Sequence, residues 1–190
     1  MRFYYDTEFA EDGHTVGLLS IGIVADDGRE YYAVVDDAEL LNEAAANPWL
    51  RDNVLPSLPV KDYSTRTPAT RWGWDAAHPD YGRILTRDVI AREVREFLAP
   101  QLLSFTPGAG CELWADYGAY DHVALAQLFG PMIELPPGIP MWTNDLRQEI
   151  ARLGLADADL PQQEAGQHNA LADARHNRAI AQFLDAYQDR

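Results

Sequence analysis

Asp6, Glu8, Asp121 and Asp173 are four carboxylates whose placement sets them apart in a chain with thirty acidic residues. Asp6 and Glu8 stand two apart in an aromatic-rich run, so on a strand they project from one face. Phe3, Tyr5, Thr7 and Phe9 take the other face. Isolated carboxylates in the middle of an apolar strand are costly unless paired or bound to a cation. Asp121 falls in the first turn of a helical stretch, on the stripe of Ala124, Leu125 and Leu128 that should pack on a sheet. Taken alone, Asp121 is equally well a first-turn acid favoured by the helix dipole. Asp173 heads the stripe of Ile180, Phe183, Leu184 and Tyr187 in the last helical stretch, where an inward acid needs a partner. His168 precedes it by five residues, a spacing that shares no helical face. From the loop before that helix it can turn back toward the same cleft. His14, His78, His122 and His176 read as surface or capping histidines. Clustered oxygen donors suit Mg²⁺ or Mn²⁺, and the missing His and Cys clusters argue against zinc. Neither a nucleophile elbow nor a glycine-rich phosphate loop is present.

The elements that must carry these residues follow from periodicity. Arg2–Phe9, Thr15–Ala25 and Arg29–Val35 read as three antiparallel strands, with Asp27-Gly28 as the hairpin turn between the last two. Ala38–Ala46 reads as a helix closed by Asn47-Pro48. The stretch 56–83 is an irregular insertion, too long for a passive connection. It carries Lys61, Arg66, Arg71, Trp72 and Trp74, which suit an oligomer contact or a bound strand. Thr86 caps a helix to about Ala99, Glu112–Ala115 is a short strand, and Ala119–Phe129 is a helix stopped by Gly130-Pro131. Helices at about Asp145–Arg152 and Ala170–Tyr187 complete the chain. Three strands followed by alternating helices and strands predict an α/β fold, one mixed sheet flanked by helices in a single domain over 1–190.

Composition narrows the class. The length of 190 residues and the 47% hydrophobic content are those of a soluble globular domain. No signal-peptide pattern is expected, since Asp6, Glu8, Glu11 and Asp12 interrupt any apolar run. Thr15–Ala25 is too short to span a bilayer, so no membrane partner is expected. Cys111 stands alone, which rules out an intrachain disulfide and agrees with a cytoplasmic location. The net charge of −15 argues against a nonspecific, salt-driven nucleic-acid binder. It leaves room for an enzyme that grips a substrate end through bound cations.

Three runs together resemble the DEDD exonuclease superfamily, in the DEDDh branch with RNase T, oligoribonuclease and the DnaQ-type proofreading subunits. They are Asp6-Thr7-Glu8-Phe9 with the strand Ser20-Ile21-Gly22-Ile23-Val24, Asp116-Tyr117-Gly118-Ala119-Tyr120-Asp121, and His168-Asn169-Ala170-Leu171-Ala172-Asp173-Ala174. The second run opens on Asp116 and not on the family's usual Asn, so Asp116 stays outside the expected site. The short length and Trp-rich insertion look most like small actinobacterial 3′-5′ exoribonucleases related to RNase T. The resemblance implies an RNase H-like, DnaQ-like fold and two divalent ions, Mg²⁺ or Mn²⁺, on Asp6, Glu8, Asp121 and Asp173. It implies His168 as general base, RNA 3′ ends as substrate and nucleoside 5′-monophosphates as product. Thr7 and Phe9 would hold the terminal nucleotide, Phe9 by stacking, and the protein would be a homodimer. A DNA exonuclease of the proofreading type and a catalytically silent nucleic-acid-binding module of the same fold remain open. Matched RNA and DNA oligonucleotides separate the first from an exoribonuclease through the 2′-hydroxyl. A Mn²⁺ titration tests an accidental match on an acidic scaffold.

Overall fold

A computed structural model describes residues 1–63, 72–102 and 110–188. Three long strands form its centre: β1 (Arg2–Glu11), β2 (Val16–Ala25) and β3 (Glu30–Val35), antiparallel in succession. Three short strands join them in parallel: β6 (Ile84–Leu85) beside β3, β7 (Glu112–Ala115) beside β1, and β8 (Asn144–Asp145) beside β7. The sheet order is β6-β3-β2-β1-β7-β8, an α/β fold with a mixed sheet as the periodicity predicts.

Each face of the sheet has its own helices. Phe3, Tyr5, Ile21 and Ile23 point to the face covered by α3 (Arg87–Leu102) and α4 (Ala119–Gln127), with Ile90, Val94, Leu98, Ala124 and Leu125 opposite them. Tyr4 and Leu19 point to the other face. There Tyr4 packs with α5 (Leu146–Leu153) and α6 (Ala170–Gln188), while Leu19 meets α1 (Ala38–Ala46) and α2 (Pro48–Asn53). Among the described residues no helix is long and apolar enough to cross a membrane.

Gly22 brings α6 close. A Cβ there would lie 2.3 Å from the Ala170 carbonyl oxygen and 2.4 Å from Leu171 Cα, so the first turn of α6 rests directly on β2. Gly22 pairs with Asp6 across the ladder, which puts the α6 N-terminus over the acidic end of β1.

Two expectations change. Asn47-Pro48 closes α1 but also opens α2: the Asn47 carboxamide accepts from the Trp49 and Leu50 amides, and Pro48 takes the first-turn place where its missing N–H is harmless. The described part of the insertion 56–83 is more regular than expected. It holds an antiparallel pair of β4 (Val60–Asp62) and β5 (Trp72–Trp74) and a 3₁₀ turn at Pro79–Arg83. Trp72 and Trp74 are half-buried against the α1/α2 cluster, and Trp74 Nε1 donates to Asp36 at 3.0 Å, so both serve packing. Arg66 and Arg71 lie outside the described residues.

Candidate active site

The site begins where β1 and β7 part. Their pairing covers Arg2–Tyr4 against Glu112–Trp114 and then stops. Beyond it, β1 backbone groups facing β7 need new partners. Asn177 Nδ2 donates to the Tyr5 carbonyl at 3.0 Å, and the Thr7 amide donates to Asp121 Oδ1 at 2.8 Å. The gap opens at the carboxyl ends of two parallel strands, the usual place for a ligand crevice in such sheets. It forms a cleft of about 460 Å³ lined by Asp6, Glu8, Asp121, His168 and Asp173, together with Asp116 and others.

Acids from both faces of the sheet meet there. Asp6 and Glu8 look toward α6, which supplies Asp173 from its first turn. Asp121 comes from α4 on the other face. It is held by the Thr7 hydroxyl as well as the amide, with Oγ1 donating to Oδ1 at 2.7 Å. Thr7 is buried and lines the cleft, and its hydroxyl and amide hold Asp121 in place. Phe9 lines the cleft as well, stacked on Tyr120 with ring centroids 5.7 Å apart and 7° between planes.

The turn before α6 folds back on itself. Asn169 caps the helix by accepting from the Ala172 amide at 3.1 Å, and Asp173 Oδ2 accepts from the His168 amide at 2.8 Å. His168 takes a left-handed backbone, φ 62°, unusual for a residue with a side chain. Ser57 Oγ donates to its carbonyl, and its ring stands edge-on to Trp49 at 4.9 Å. Ligand atoms of Glu8, His168 and Asp173 all lie within 4.8 Å of one another.

The electrostatics of the cleft suit a cation. Burial, and then the charges of Asp121, Glu8 and Asp173, push the Asp6 carboxyl well above its ordinary range. Burial, followed by Asp173 and Asp121, raises Glu8 to about 8. Burial lifts Asp121 to about 6 against the hydrogen bonds from Thr7, and burial also raises Asp173. Like charges packed this closely disfavour ionisation unless a cation intervenes. Among the described residues lining the cleft there is no lysine or arginine. Hard carboxylate oxygens converging without a counter-charge fit divalent ions such as Mg²⁺ or Mn²⁺.

Several lining residues went unmarked in the sequence. Gln163 Nε2 donates to Asp173 Oδ1 at 2.7 Å from an irregular segment, with no periodic signal to reveal it. His176, which the sequence alone reads as a surface or capping histidine, lines the cleft. Its place on the Asp173 stripe was the available sign. His122 is not among the lining residues, and burial lowers its pKa. Asp116 lines the cleft, but Arg147 claims its carboxylate, Nη2 donating to Oδ2 at 2.8 Å with Nε 2.7 Å from Oδ1.

Fold and cleft define an α/β protein with a carboxylate site suited to divalent cations. A family model described as the 3′-5′ exoribonuclease Rv2179c-like domain matches residues 1–184. Two curated proteins of Mycobacterium tuberculosis match the chain: the 3′-5′ exoribonuclease MT2234.1 of strain CDC 1551 / Oshkosh and the 3′-5′ exoribonuclease Rv2179c of strain H37Rv. Each is 43% identical over 175 residues, covering 92% of this chain and 88% of the relative. The chain belongs to the Rv2179c-like 3′-5′ exoribonuclease domain family.

Proposed function

We propose that this protein is a 3′-5′ exoribonuclease that removes nucleoside 5′-monophosphates from RNA 3′ ends, using two divalent ions held by Asp6, Glu8, Asp121 and Asp173. The observation that carries the reading is the convergence of these four acids and His168 in one cleft, in a chain of this family. Mg²⁺ or Mn²⁺ would supply the positive charge a phosphodiester needs before an oxygen nucleophile can approach it.

The chain's own residues do the rest. Asp6 and Glu8 stand on a rigid strand, and Asp121 is fixed by two bonds from Thr7, so the donor set is organised in advance. His168, held by its carbonyl, its amide and Trp49, takes the proton from the attacking water as general base. Phe9, beside Tyr120, offers aromatic surface to the terminal base.

The wider reading is an RNase H-like fold, supported by the mixed sheet and by acids converging on its central strand. A single domain is supported by the family match over 1–184. A homodimer and a cytoplasmic location complete it. The solitary, buried Cys111 agrees with a reducing compartment, and light scattering tests the dimer.

The direct test uses a 5′-labelled ribo-oligonucleotide with Mn²⁺. Wild type should give a ladder shortening from the 3′ end and release monophosphates, and Asp173→Asn should give neither. An Asp173→Asn protein as active as wild type would sink the site assignment. Equal rates on a matched DNA strand would replace RNA by nucleic acid in general.

A further inference from the structure

Of the described residues other than glycine, two adopt positive φ, His168 and Tyr117, and both line the cleft. His168 has a chemical role in the reading above. Tyr117, with φ 52°, has none, although a left-handed backbone is a strained one for a tyrosine. Its side chain does not recover that cost by burial, since 69% of the residue is exposed.

The surroundings instead hold the ring in place. The Arg147 guanidinium lies over one ring face, 4.8 Å from the centroid. Arg147 is itself fixed by Asp116 and, through Nη1 at 2.5 Å, by Asp157. The next residue is pinned as well. The Gly118 amide donates to Asp145 at 3.2 Å, and a Cβ on Gly118 would lie 2.8 Å from both Ala115 Cβ and Thr143 Cγ2. The backbone is thus locked on one side of the ring and a cation covers one face, while the exposed remainder borders the cleft.

We propose that Tyr117 is a nucleobase platform, on which a base of the strand held in the cleft stacks, with Arg147 as the residue that positions it. The inference rests on the nuclease reading. A base of any identity can use such a platform, because every base has a π face. Arg147 is paired with Asp116 and Asp157, so it acts on the ring by contact, holding one face covered and leaving the rest to a base. It also answers why an acid is tolerated at Asp116: the carboxylate serves Arg147 and not the metals.

The experiment compares wild type, Tyr117→Gly and Tyr117→Phe. It reads KM and kcat on oligoadenylate with Mn²⁺, Kd for the dye-labelled oligomer by anisotropy, and Tm. Glycine relieves the backbone strain and removes the ring. Tyr117→Gly should therefore raise KM and Kd about tenfold, with kcat within about twofold and Tm unchanged or higher. Tyr117→Phe should keep the wild-type KM, since stacking needs the ring and not the hydroxyl.

An unchanged Kd in Tyr117→Gly overturns the platform. A fall in Tm together with kcat overturns it in favour of a structural prop, and a change in oligomeric mass overturns it in favour of a self-association surface. Anisotropy reads binding whether or not the strand is shortened. A wild type that fails to shorten RNA while Tyr117→Gly still weakens Kd would therefore remove the nuclease reading and leave the platform standing.

Discussion

Glu8 shows most clearly what the site costs in the absence of cations. Its carboxyl is buried and raised to about 8, from 4.5 for an ordinary glutamate. The folded state thus holds a proton that the unfolded chain releases, and stability follows from that difference. The contribution is fully present below pH 4.5 and is lost as pH rises toward 8. Asp6, Asp121 and Asp173 are shifted in the same direction, so the effects reinforce one another. Metal-free protein should therefore melt at lower temperature at pH 8 than at pH 5.5. Glu8→Gln, which cannot ionise, should stabilise metal-free protein at pH 8 by about 1–4 kcal/mol. In a chain of this size each kcal/mol moves Tm by about 2–4 °C. Millimolar Mn²⁺ should remove most of the pH dependence in wild type. Thermal melts with and without chelator check both, and a wild-type Tm that rises from pH 5.5 to 8 in chelator would contradict the clustering of charge.

The spacing of elements is what turns four distant carboxylates into one site, and Gly22 is where that spacing is set. Its missing Cβ admits the backbone of Ala170 and Leu171, so α6 and the turn before it deliver Asp173 and His168 against the acids of β1. Gly22→Ala should cost about 1–3 kcal/mol through overpacking. It should also lower kcat at least tenfold, because displacements near an ångström at a reacting centre are worth about a hundredfold. Gly82→Ala, where a Cβ meets nothing within 4 Å, serves as the control and should leave both unchanged. A Gly22→Ala protein with lower Tm and full kcat would show that the cleft tolerates a shifted α6.

Much of this arrangement was legible in the sequence. Period two put Asp6 and Glu8 on one strand face, and helical period put Asp173 on the buried stripe of α6. Other features depend on tertiary approach and leave no periodic trace. The parting of β1 from β7 decides that Thr7 serves Asp121, and the left-handed turn at Tyr117 follows from contacts made by Arg147 and Asp145. Asn47 could not be read as joining two helices, because an Asn-Pro pair ends one helix by the same chemistry that begins another.

At the scale of the whole molecule, the net charge of −15 must be reconciled with a polyanionic substrate. Proteins that neutralise many phosphates lose about 10³–10⁵ in affinity between 50 and 200 mM salt, because bound counterions return to the strand. The cleft here presents no lysine or arginine among its described lining residues, and Arg147 behind Tyr117 is already paired with Asp116 and Asp157, so positive charge at the cleft must come from divalent ions. Long-range repulsion between an acidic protein and RNA is screened as salt rises. With divalent ion held at saturation, kcat/KM on a ribo-oligonucleotide should stay flat or increase as KCl goes from about 50 to 200 mM, roughly the span over which cationic binders fail. A fall of more than about tenfold would mean that a cationic strip contributes to binding. Arg66 and Arg71, outside the described residues, are then the arginines to test. Replacing both by alanine should flatten the salt dependence while leaving kcat on saturating substrate intact. If wild type is already insensitive to salt, the same double replacement should change KM little, and affinity for the strand resides in cations and stacking at the cleft itself.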